Sequence, residues 1–120
     1  MVNYHLATEE QIELADGARK ILEKELAPRL SELETADGGL GKYPMDVQKI
    51  LAQAGYCGMG IPEEWGGLGL DIVTQAVIIE EMAKIDAGFA FAFFNGNSYF
   101  HQILQTSMSH KEKQAWAEPK

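Results

Sequence analysis

The stretch FAFAFFNGNSYFHQIL, residues 89–104, carries Phe89, Phe91, Phe93, Phe94, Tyr99 and Phe100, with Asn95, Gly96, Asn97 and Ser98 set among them. Small residues between rings let a ligand or a second element approach closely. Short polar groups in an apolar helix can satisfy backbone or polar ligand atoms. Such a composition suits an apolar substrate held by few hydrogen bonds. A plain aromatic core seam accounts for the same residues equally well, and both readings stay open at the level of residue type.

The other chemically capable residues point less far. His5, His101 and His110 lack the close spacing of a metal site, and the single Cys57 neighbours none of them. His101, beside an apolar helix face, reads as a core-edge hydrogen-bonding residue. Glu80 and Glu81 are acid–base candidates by type, but adjacent helix residues point in different directions. A solvated or ion-paired role fits them better. The corner IPEEWGGLGLD, residues 61–71, is rich in glycine but lacks the Lys–Ser/Thr of a phosphate loop and does not follow a parallel strand. It reads as a packed connection. Pro62 restricts Ile61 to extended backbone, and Trp65 is expected to fold back over the helix ends with its rings mostly buried.

Helices must position these residues. Thr8 followed by Gln11 is a capping box, and Ala15, Ala18, Leu22 and Leu26, widened by Ile21, form one apolar stripe. Pro28 ends or kinks that helix, RLSELE resumes it briefly, and TADGGLGK breaks it. Pro44 is placed in the first turn of PMDVQKILAQA, whose apolar face is Val47, Ile50, Leu51 and Ala54, with Gly55 as the left-handed stop. Asp71 caps IVTQAVIIEEMAKI. There Ala76, Ile79 and Ala83 are expected to share the inner face, broadened by Val73, Val77 and Met82. A break at Asp86–Gly88 precedes the aromatic segment, and Ser109 with Glu112 signals a further helix start. The fold class is all-α, a bundle of about five or six helices.

Composition bounds the function. The chain has 120 residues, 46% hydrophobic and 23% charged, with a formal net charge of −8. That is ordinary globular composition for one domain. The acidity argues against nucleic-acid partners and anionic membrane surfaces. The longest apolar run, residues 87–94, is far too short for a membrane span. A lone cysteine and the lack of a visible signal peptide fit a cytoplasmic protein.

The order of motifs carries more information than any one of them. LATEEQIELADGARKILEKELAPRLSE, then YPMDVQKILAQAGYCGMGIPEEWGGLGLD, then IIEEMAKIDAG and NGNS resemble the amino-terminal helical domain of flavin-dependent acyl-CoA dehydrogenases, over residues 1–120. The GYCGMGIPEEWGGLGLD corner is the most specific part.

The resemblance implies a complete enzyme that performs α,β-desaturation of an acyl-CoA thioester. In it a glutamate takes the α proton, FAD receives the β hydride, and an electron-transferring flavoprotein accepts the electrons. It also implies a homodimer or homotetramer. The central β domain and the carboxy-terminal helical domain, which carry the base and most flavin contacts, have no counterpart here. The AEP of residues 117–119 is too weak an echo of the family's Thr-Glu-Pro to assign. The chain is therefore expected to be a fragment or one subunit of a split enzyme, with no catalytic residue of its own. It should bind FAD weakly or not at all and be inactive alone. By resemblance its contribution is to line the distal acyl pocket, through Phe94, Asn95 and Tyr99, with Ser98 and Gln102 beside them. The competing reading is a non-catalytic helical protein-interaction module docking through its aromatic run.

Overall fold

A computed structural model describes residues 7–39, 41–96, 107, 109 and 111–112, all but a few of them in helices or tight turns. Among these residues there are five α-helices and no strand: α1 (Glu9–Glu25), α2 (Leu30–Thr35), α3 (Met45–Gln53), α4 (Ile72–Ile85) and α5 (Ala87–Phe94). The all-α class holds.

Helix α1 begins as its sequence directs. The Thr8 hydroxyl accepts the Gln11 N–H at 3.2 Å, and the Gln11 side chain accepts the Thr8 N–H at 2.9 Å. Ala15, Ala18, Leu22 and Leu26 are buried along one stripe. Pro28 sits in a single 3-10 turn, Ala27–Arg29, that separates α1 from α2. The break after α2 turns through Asp37, Gly38 and Gly39 at positive φ.

Two details of α3 differ from the sequence reading. Pro44 occupies the N-cap, one residue outside the first turn. Ala54 is exposed, so the inner face is Val47 and Leu51, with Ile50 partly covered. Gly55 adopts the left-handed conformation (φ 96°) expected of a helix stop.

The larger correction concerns α4. Its most buried residues are Thr74, Gln75, Ile78, Glu81 and Met82, with the expected Val77, Ile79 and Ala83 packed against the core beside them, whereas Ala76 is exposed and Val73 is 57% exposed. Counting apolar residues caught Val77, Ile79, Met82 and Ala83 but missed the polar residues in the same face. The polar residues turn inward because each finds a partner. The Gln11 amide donates to the Thr74 hydroxyl at 3.0 Å, and the Gln75 amide donates to the Leu70 carbonyl at 3.1 Å. Glu81 is ion-paired. Buried polar groups satisfied in this way cost little. Small Ala15 and Ala18 on α1 allow α4 to lie close alongside.

The glycine-rich corner is a packed connection stitched by its own backbone. The N–H groups of Leu68, Gly69 and Leu70 donate to the carbonyls of Gly58, Ile61 and Met59 at 3.0, 2.8 and 2.8 Å. Gly67 stands so close to Ile61 that a Cβ there would lie 2.0 Å from the Ile61 carbonyl oxygen. Trp65, in a short 3-10 turn, Glu63–Trp65, has most of its surface covered, as expected for its ring.

Two glycines should therefore respond in opposite directions. Gly67→Ala is expected to destabilise the chain by about 1–3 kcal/mol, because the added methyl has backbone in its way. Gly88→Ala, inside α5 where a Cβ meets only Asp86 Oδ2 at an ordinary 3.6 Å, is expected to stabilise it by roughly 0.5–1 kcal/mol. Urea denaturation of the two variants beside wild type measures both.

Candidate functional site

Helix α5 is the element that presents the aromatic run. It starts sharply because the Asp86 carboxylate accepts the Phe89 N–H at 3.0 Å. Its inner face is set by spacing: Phe89 and Phe93, four residues apart, are both buried, with Ala90 beside them. Their rings lie 6.0 Å apart, and Phe89 also stacks on Tyr43 with ring centroids 5.4 Å apart and planes 6° from parallel. Phe91 points the other way and is 70% exposed.

The run thus divides into two parts. Phe89 and Phe93 form a core seam, as the plainer reading held. Phe94, partly buried, and Asn95, exposed at the C-cap, stand together at the far end of α5. Ser98, Tyr99 and Gln102 lie outside the described residues, as do Phe100, His5, His101 and His110.

Tyr43 was not a candidate on sequence grounds. Its hydroxyl donates to Gln48 Oε1 at 2.6 Å, and the Cys57 thiol donates to the Gln48 carbonyl at 3.8 Å. Burial, with Cys57 nearby, pushes the Tyr43 hydroxyl up to about 12. Burial also raises the Cys57 thiol, which opposes thiolate reactivity. Behind the Tyr43–Phe89 stack lies an open cleft of about 220 Å³, walled by Leu26, Leu30, Leu33 and Pro44, with Glu34, Lys42 and Asp86 also lining it. The Tyr-Pro pair was visible in the sequence. Its partner across the fold was not, because no local spacing connects residue 43 to residue 89.

The acids are occupied structurally. Glu81 is 2% exposed and meets the Lys84 ammonium at 2.5 Å and Arg19 Nε at 3.6 Å. Arg19 also binds Glu23 at 2.7 Å and Asp16 at 3.3 Å, and these contacts, Glu23 first, hold its guanidinium above the usual range. A buried carboxylate so paired ties α1 to α4, and Glu80 faces solvent.

The helix starts are equally committed. Asp71 accepts the Thr74 N–H at 2.8 Å, and its contacts with Thr74 hold its carboxyl below the usual range. Asp86 caps α5, and Glu9 and Glu10 fill the first turn of α1. Carboxylates at these positions already use the positive ends of the helices and repel phosphate. The starts of α1, α4 and α5 therefore do not fit the diphosphate of FAD.

The buried phenol gives a pH signature. A tyrosine near 10 when unfolded and about 12 when folded favours the folded state in its neutral form. That contribution is fully present below about pH 10 and is lost as pH rises through the folded value. Urea midpoints for wild type are expected to fall between pH ~9 and ~12. Tyr43→Phe should fall less steeply, keeping a residual slope from Tyr56 and Cys57, whose pKa values burial also raises.

Comparison with known proteins places this geometry. The family model for the acyl-CoA dehydrogenase N-terminal domain matches residues 8–119. A cyclohex-1-ene-1-carbonyl-CoA dehydrogenase of Syntrophus aciditrophicus is 32% identical over 107 residues, 88% of this chain and 25% of that protein. A probable acyl-CoA dehydrogenase of Mycobacterium tuberculosis is 35% identical over 79 residues, 66% of this chain and 19% of that protein. A chain in a solved structure of the electron transferring flavoprotein of Acidaminococcus fermentans, described in terms of flavin-based electron bifurcation, superposes with a TM-score of 0.80 at 29% identity. That superposition covers 92% of this chain and 28% of the other. The chain thus spans about a fifth to a quarter of the length of these curated relatives. With its helices, its corner and its family match in agreement, the chain belongs to the acyl-CoA dehydrogenase N-terminal domain family.

Proposed function

We propose that this chain works as a non-catalytic helical module that packs onto the other domains of an FAD-dependent acyl-CoA dehydrogenase and closes the distal end of its acyl pocket. The observation that carries the reading is the two-sided character of α5. Phe89 and Phe93 anchor the helix in the core, while Phe91 stands 70% exposed and Phe94 and Asn95 end the helix together. Exposed Ile72 and Val73 on the first turn of α4 add apolar surface that solvent does not favour.

In the assembled enzyme the reaction is α,β-desaturation of an acyl-CoA thioester. This chain's share is shape and exclusion of water: bulky Phe94 limits the length of the acyl chain, and Asn95 supplies one polar group. Tyr99, Ser98 and Gln102 belong to the same proposed wall. The base and the flavin sit on domains outside this chain, consistent with acidic helix starts that would repel a diphosphate. The assembled protein is a homodimer or homotetramer, and an electron-transferring flavoprotein takes its electrons.

A second reading is an interaction module that serves a partner other than a dehydrogenase, docking through the exposed Phe91, Ile72 and Val73.

One reconstitution separates the two. The chain alone is expected to bind no stoichiometric flavin and to oxidise no acyl-CoA. Mixed with central and carboxy-terminal dehydrogenase segments and FAD, it should restore substrate-dependent flavin bleaching. Phe91→Asp should abolish that assembly while changing the chain's own stability by no more than about 0.5 kcal/mol. Failure of wild type to assemble with such segments would favour the second reading.

A further inference from the structure

We propose that Tyr43 is a positioning residue for acyl-chain specificity: its ring, held by Gln48, sets the place of α5 and so of Phe94 and Asn95 at the end of the pocket. This rests on the reading that the end of α5 closes the acyl pocket.

The geometry supports it in three steps. The Tyr43 ring is parallel to Phe89 within 6° at 5.4 Å, and Phe89 in turn lies 6.0 Å from Phe93, so one aromatic column runs from the 43–44 connection through two turns of α5. Tyr43 itself is fixed from α3, because its hydroxyl donates to Gln48 Oε1 at 2.6 Å. The column is not close-packed all round. A cleft of about 220 Å³ borders Tyr43, Gly88 and Phe89, leaving room beside the first turn of α5. Where packing leaves room, a directional contact decides position.

The ring stack thus ties the start of α5 to the 43–44 connection, beside the Asp86 carboxylate that caps the start of α5. Phe94 directly follows Phe93 on α5. A small rotation at residue 89 is carried along a rigid two-turn helix to Phe94. Displacements of that order are enough to alter discrimination between acyl chains that differ by a methylene.

The test uses the enzyme assembled with FAD and the remaining dehydrogenase domains, with kcat/KM measured over a series of straight-chain acyl-CoA thioesters. Tyr43→Leu, which removes the stack, is expected to change the long-to-short ratio of kcat/KM by about tenfold. Tyr43→Phe, which keeps the ring, should hold a near wild-type ratio. Gln48→Leu, which frees the hydroxyl without touching the stack, should move the ratio in the same direction as Tyr43→Leu but less, and serves if the leucine variant does not assemble. In the chain alone, Tyr43→Leu should speed amide hydrogen exchange in α5 while α1 and α4 keep wild-type protection. A merely structural role would lower every acyl chain's rate alike and leave the ratio unchanged. Phe94→Ala is the reference. If it shifts the ratio while Tyr43→Leu and Gln48→Leu do not, the positioning role is overturned and the pocket stands. If Phe94→Ala itself leaves the ratio unchanged, the pocket assignment fails and the role of Tyr43 with it.

Discussion

The close contact between α1 and α4 is the constraint on which the rest of the domain depends. Two alanines, Ala15 and Ala18, clear the space on α1, and Ile78 and Met82 fill it from α4. Within this apolar seam lies one charge, the Glu81 carboxylate, held between Lys84 of its own helix and Arg19 of the other. Such an ion pair adds little net stability over apolar packing, but breaking it leaves an uncompensated buried charge at a cost of about 3–5 kcal/mol. Its effect is to select one rotation of α4 against α1. That rotation determines which residues of α4 face solvent and in what direction the chain leaves it at Asp86.

From that point the geometry follows in sequence. Asp86 ends α4 and caps α5 in the same residue, since its N–H donates to Met82 and its carboxylate accepts from Phe89. Phe89 and Phe93 then lock the new helix, one against Tyr43 and both into the core. At the opposite end of α4 the corner plays the corresponding part. Its backbone hydrogen bonds and the tight approach of Gly67 to Ile61 fix the path into Asp71. The long glycine-rich connection is therefore a joint of defined angle.

Much of this was legible in the residues, and the failures share a cause. The Thr8–Gln11 box, the Ala15–Ala18–Leu22–Leu26 stripe, the Pro28 break, the Gly55 stop and the Asp71 cap depend on neighbours within a few positions, and all stand as expected. The inner face of α4 was misjudged because Thr74, Gln75 and Glu81 count as outward residues until partners are known. Those partners include Gln11 and Arg19, more than sixty positions away in the chain. Trp65 is mostly covered, as an indole in a packed connection is expected to be. For the aromatic run, composition left core seam and pocket equally open; helical spacing assigns Phe89 and Phe93 to the core and leaves Phe94 and Asn95 as the candidate wall. Tyr43 escaped notice for the same reason as the partners of α4. Its contact is made across the fold.

If the end of α5 stands at the far end of an acyl chain, a photoreactive group on the terminal carbon of an acyl-CoA will reach it. With that ligand bound to the assembled, FAD-loaded enzyme and irradiated, the crosslinked peptide from this domain is expected to contain Phe94 and Asn95. Crosslinks confined to the other domains, or falling in this one only on α1 or α3, would contradict it.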